Sequence, residues 1–124
     1  MYAITTKDAP KPEGTYSQGT SAARFVFVSG QLPIEPASGK LVPGGIGQQT
    51  ARCIRNVEAV LRELELGLAD VTKTTIYLTS LGELEQADDV YAERFPKPAP
   101  ARSCVEVGAL PHGARVMVEA IACR

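Results

Sequence analysis

Four apolar residues stand in unbroken succession at Phe25-Val26-Phe27-Val28, inside the run Arg24–Gln31, whose β-branched and aromatic density marks a strand closed by Gly30. A strand with one solvated face alternates apolar and polar side chains, whereas a strand without alternation asks for cover on both faces. That demand falls on a chain of 124 residues, enough for one hydrophobic core but not for two. The sequence therefore predicts a single domain over residues 1–124 whose sheet its own helices cannot enclose from both sides.

Two helices are legible. Between Gln48 and Leu66, apolar residues recur at Ala51, Ile54, Val57, Val60, Leu61 and Leu64, the three-and-four spacing of an amphipathic helix that ends at Gly67. A second helix places Leu84, Ala87, Val90, Tyr91 and Phe95 on its inner face and is stopped by Pro96, Pro98 and Pro100. Val71–Thr79 has strand density, and the last strands, Arg102–Val107 and Ala114–Cys123, flank a Pro111-His112-Gly113 turn and read as a hairpin. Residues 9–15 and 32–47, rich in proline and glycine, read as an extended loop and a long surface connection of the kind that lines sites. Strands, helix, strand, helix and hairpin predict an α+β sheet with both helices on one face. Further copies of the chain are the economical cover for the other face, which points to sites at subunit boundaries.

Formal net charge is −1 with no dense block of Lys or Arg, so nucleic acid is not the favoured partner. No apolar run approaches the roughly 20 residues that cross a bilayer. Met1–Asp8 carries neither a secretory nor an organelle-targeting pattern, so a cytoplasmic protein with no membrane partner is expected. Cys53, Cys104 and Cys123 lie far apart and outside CxxC spacing, and read as reduced thiols. The only histidine, His112, reads as a solvated turn residue, which excludes a histidine triad or a multi-histidine metal site.

Two ionisable residues stand out. Arg102 begins a strand directly after the proline-rich stretch, and extended alternation sets Arg102, Cys104 and Glu106 on one side, Ser103, Val105 and Val107 on the other. It is either an exposed cation paired with a surface carboxylate or a planar fork of donors for a substrate carboxylate. Glu119 shares its strand face with Met117, Ile121 and Cys123. A carboxyl among apolar residues must be paired, hydrogen-bonded, at an edge, or protonated; lining a pocket, it can trade protons with a water or an amine. Tyr16 and Ser29-Gly30-Gln31 are weaker signals, since a tyrosine after a loop usually packs and Ser-Gly-Gln after a strand is usually a turn. Cys104 reads as a small apolar filler with no histidine to activate it.

In order along the chain, Gly14-Thr15-Tyr16-Ser17-Gln18, Val26–Pro33, Gln49-Thr50, Asn56, Val71–Leu78, Pro100–Val107, Ala109-Leu110-Pro111 and Glu119–Ala122 resemble the RidA family of reactive-intermediate and imine deaminases. The resemblance implies a chorismate-mutase-like fold assembled as a homotrimer, with an inner β-barrel and clefts between subunits. On the matching positions it implies that Arg102 holds a substrate carboxylate and that Glu119 and the backbone near Cys104 position a water. Tyr16, Ser29 and Gly30 would line the cleft. It implies no metal or organic cofactor, and as substrates 2-aminoacrylate and related imino acids, hydrolysed to 2-keto acids and ammonia. Thr15 departs from the family's frequent proline, and Asp88 from its frequent asparagine, which bears on acidic substrates. The rivals are a non-catalytic ligand-binding trimer or regulator, a ribonuclease or translation inhibitor, and a hydrolase for one specialised imine.

Overall fold

The computed structural model describes residues 1–124. The chain runs β1 (Tyr2–Ile4), β2 (Gly19–Ala22), β3 (Phe25–Gln31), β4 (Ile34–Glu35), β5 (Lys40–Leu41), α1 (Ile46–Arg62), β6 (Val71–Leu78), α2 (Leu84–Arg94), β7 (Ala101–Glu106) and β8 (Val116–Cys123). Six of these strands form one sheet in the order β1-β2-β3-β8-β6-β7, and β4 with β5 forms a separate small hairpin. No helix is long and apolar enough to cross a membrane.

The expected closing hairpin does not form. β8 inserts between β3 and β6, antiparallel to both, while β7 lies at the sheet edge, parallel to β6. Composition explains the split. β8 buries Val116, Val118, Ala120 and Ala122 and half-buries the residues between them, as a strand flanked on both sides does. β7 carries Arg102 and Glu106 and is exposed along nearly its whole length, which suits an edge. Parallel neighbours need a crossover, and α2 supplies it.

One face of the sheet is closed by the helices. Val26, Val28, Ile76, Leu78, Val116 and Val118 pack in one cluster with Cys53, Ile54, Val57, Val60 and Leu61 of α1 and with Ala87, Tyr91 and Phe95 at α2. Burial pushes the Cys53 thiol far above its ordinary pKa, so it remains a neutral filler. The other face is open: Phe25 and Phe27 are 50% and 42% exposed, with ring centroids 6.3 Å apart. The unbroken apolar run of β3 thus has cover for Val26 and Val28 and, within one chain, none for its phenylalanines.

Two boundaries differ from expectation. The connection at residues 32–47 holds the β4–β5 hairpin, so it is not wholly irregular, and α1 starts at Ile46. At its other end α1 stops at Arg62 instead of continuing to Leu66. There Leu66 N–H reaches back to Leu61 O (3.1 Å) and Glu65 N–H to Arg62 O (2.9 Å), with Glu65 at φ 60°. This pattern caps the last carbonyls and turns Leu66 onto the core, but it normally takes glycine at the left-handed position. Glu65→Gly should therefore raise the urea midpoint by an amount worth about 0.5 kcal/mol, the relief of the left-handed strain less the added entropy of the unfolded chain.

Candidate functional site

The site begins with a fault in the β3–β8 ladder. Val28 pairs with Ala120 and Gln31 with Val118, so Ser29 and Gly30 together face the single residue Glu119. Such a bulge re-aims side chains and is common beside functional sites. Gly30 lets Met117 lie over the bulge: a Cβ would sit 2.7 Å from Met117 Sδ and 2.9 Å from its Cε, so that flexible side chain would have to swing aside on the open face. Ser29 Oγ donates to Ser17 O (2.6 Å) and Ser29 N–H to Gln18 O (3.0 Å), which locks the bulge against the loop that carries Tyr16.

Gln18 anchors that loop. Its buried amide donates to Thr6 O, Ala9 O and Pro10 O at 2.9, 3.2 and 2.9 Å and accepts from Thr6 N–H at 2.7 Å. Tyr16 is half-exposed; its hydroxyl accepts from Glu13 N–H (3.2 Å), and the side chain shares a small hollow with Gly30, Gln31 and Leu32. His112 lies, as expected, in the turn, where its Nε2 is 2.7 Å from Glu13 Oε1 and ties the same loop to the far end of the chain.

Glu119 faces the open side, since it alternates with buried Val118 and Ala120. Its Oε1 accepts a hydrogen bond from the Tyr77 hydroxyl. That bond, with some burial, raises the Tyr77 pKa, so the phenol keeps its proton and remains a donor to the carboxylate. Glu119 lines a hollow of about 180 Å³ with Phe27, Lys73, Thr75 and Ile121. Lys73 Nζ donates to Thr74 O (3.1 Å) and Thr75 Oγ1 (2.9 Å).

Arg102 is elsewhere. It pairs across the ladder with Thr74, which is buried and whose hydroxyl lies 2.7 Å from that of Tyr91 on α2, so Arg102 belongs to the helix side. Its guanidinium lies 4.8 Å from the centroid of the Tyr91 ring, and Nη1 donates to Asp88. The side chain is 26% exposed and lines a pocket of about 350 Å³ with Asp88, Tyr91, Phe95, Lys97 and Pro100. Burial alone would lower its pKa, but the hydrogen bond to Asp88 and the negative charge of that carboxylate act against this, and the net shift is upward. Arg102 thus has the carboxylate partner of the first reading, and it also lines a pocket. Cys104 pairs with Ile76 and packs against the core, so its thiol points away from the open face.

One chain therefore sets Ser29 and Gly30 opposite Glu119 and seats Tyr16 in a hollow shared with Gly30, and leaves Arg102 and Cys104 apart from them. Glu119 and Arg102 are two strands distant, about 10 Å across the sheet, and project from opposite faces. Sequence reasoning missed Tyr77 as the partner of Glu119 and Gln18 as the anchor of the loop. Period-2 alternation does place Lys73, Thr75 and Tyr77 on one face, but only the β6–β8 register, which sets Tyr77 opposite Met117, brings Tyr77 to Glu119.

Comparison with known proteins bears on the whole chain. A family model described as "Endoribonuclease L-PSP" matches residues 6–124. A RutC family protein of Pyrococcus abyssi is 45% identical over 119 residues, 96% of this chain and 94% of that one. The 2-iminobutanoate/2-iminopropanoate deaminase of Bos taurus is 39% identical over 119 residues, 96% of this chain and 87% of that one. Among solved structures, RidA from an Antarctic Psychrobacter superposes with a TM-score of 0.96 at 33% identity, covering 100% of both chains.

Proposed function

The chain belongs to the RidA/YjgF family, and from that premise we propose that it hydrolyses reactive 2-imino acids and their enamine tautomers to 2-keto acids and ammonia, at sites shared between copies of itself. Relatives at 36–39% identity bear the name of such a deaminase. The observation that carries the reading is the bulge that sets Ser29 and Gly30 against Glu119 on an uncovered apolar face. Three copies closing these faces into an inner barrel would cover Phe25 and Phe27, and would let the edge strand of one copy bring Arg102 to the Glu119 of the next.

The chemistry asks for little. Enamines of this class tautomerise to imines unaided. Arg102 holds the substrate carboxylate through its donor fork, which fixes the imine carbon over Glu119. Water adds to the carbon of the protonated imine as Glu119 accepts its proton, giving a neutral carbinolamine. Glu119 returns that proton to nitrogen, and as the C–N bond breaks the carbinol O–H gives its own proton back to Glu119, leaving a 2-keto acid and ammonia. Tyr77 occupies one oxygen of Glu119 and leaves the other for the water.

The test is ammonia release from 2-iminopropionate generated in situ by an amino-acid oxidase, with Glu119→Gln beside the wild-type protein. A rate loss of about 10²-fold in the variant, with oligomeric state retained, supports the reading. Wild-type protein that adds nothing to the spontaneous rate overturns it. A variant that falls apart would instead make Glu119 a structural residue. RNA cleavage by highly purified protein that survives Arg102→Ala would favour the activity in the family model's description.

A further inference from the structure

We infer that Asp88 sets the charge class of the substrate, admitting imines and enamines of monocarboxylic acids and disfavouring those with a second carboxylate. The substrate named here rests on the deaminase reading; the charge count rests on the pocket itself. Asp88 and Tyr91 lie three residues apart on α2, hence on one helix face, and both meet Arg102. Tyr91 lies under the guanidinium and Asp88 takes Nη1. No other side chain or carbonyl of the chain accepts from Arg102, so Nε and Nη2 remain as one free edge. One edge of that fork is the binding unit for one carboxylate.

The remaining charge around the pocket points the same way. Its charged lining residues are Arg102, Lys97 and Asp88, so two cations and one anion leave a single positive charge. One substrate carboxylate neutralises it. A second would leave excess negative charge close to Asp88, on a floor formed by the stacked rings of Tyr91 and Phe95, whose centroids are 4.2 Å apart and where screening is weak. With the two carboxylates on the order of 6 Å apart in a half-wet pocket, the penalty corresponds to about tenfold in affinity. Asp88→Asn would give the pocket two positive charges and remove that bias, whereas Asp88→Glu would keep it.

Stable keto acids of equal chain length isolate charge from size. We expect calorimetry to show 2-oxopentanoate binding the wild-type protein about tenfold more tightly than 2-oxoglutarate. The ratio should fall to near one in Asp88→Asn and persist in Asp88→Glu. The kcat/KM ratio for the corresponding imines should follow, chiefly through KM. A wild-type protein without this preference, or an Asp88→Asn variant that retains it, overturns the inference. Because binding is read separately from turnover, a preserved affinity ratio without any ammonia release would sink the deaminase reading and leave the role of Asp88 standing.

Discussion

Replacing Arg102 by alanine is expected to lower kcat/KM for ammonia release from freshly generated 2-iminopropionate by about 10³-fold while the assembly remains intact. Two effects add. The substrate loses the donor fork that fixes its carboxylate, and Asp88 loses its partner and presents a bare negative charge to an anionic substrate. Arg102→Lys should recover only a small part of the loss, because an ammonium restores charge without the planar pair of donors. The fold should tolerate the change, since Arg102 sits on an edge strand and its hydrogen-bonding partner, Asp88, is a half-exposed carboxylate. Unchanged turnover would refute the assignment. The placement of Arg102 and Glu119 on opposite faces of one sheet makes a stronger demand. When Arg102→Ala and Glu119→Gln chains, each nearly inactive alone, are mixed and allowed to exchange subunits, some interfaces join an intact Arg102 to an intact Glu119. Random mixing restores about a quarter of the sites in a cyclic assembly. Mixed assemblies that stay inactive would mean the two residues do not meet across a boundary.

Asn56→Ala should cost about 3 kcal/mol of stability, read as a drop in thermal midpoint of about 10 °C. Asn56 is fully buried in the middle of α1. Its Nδ2 donates to Leu32 O and Ile34 O, both at 3.0 Å, and its Oδ1 accepts from Arg52 Nε and Nη2 at 3.0 and 2.7 Å. Alanine would orphan two carbonyls of a segment with few other ties and leave a void beneath it. Burial together with repulsion from Arg55 already lowers the pKa of Arg52, so loss of its acceptor strains a cation that is poorly solvated. The segment leads directly out of the Ser29-Gly30 bulge, so activity should fall below the stability midpoint as well. A change under about 0.5 kcal/mol would show that water replaces the amide, and that the loop does not depend on it.

The chain's own order of residues determined the strength and period of its elements. α1 and α2 were legible because their apolar residues recur at helical spacing over several turns, and β3, β6 and β8 because β-branched residues crowd them. That the chain's own helices leave one sheet face uncovered was legible from Phe25–Val28, and both phenylalanines are exposed there. The segments that carry the family likeness could be read as well, because they are contiguous. The order of the strands could not. Alternation says which residues of a strand share a face, but not which strand lies beside it. That choice is made by non-local pairing, which placed β8 inside the sheet, β7 at its edge and Ser29-Gly30 across from Glu119. The same pairing joined Tyr77 to Glu119 and seated Asp88 on Arg102, contacts between residues 42 and 14 positions apart, respectively, that no local pattern encodes. Local periodicity fixes an element because neighbouring side chains decide its burial; a site assembled from several elements exists only once their packing has chosen its partners.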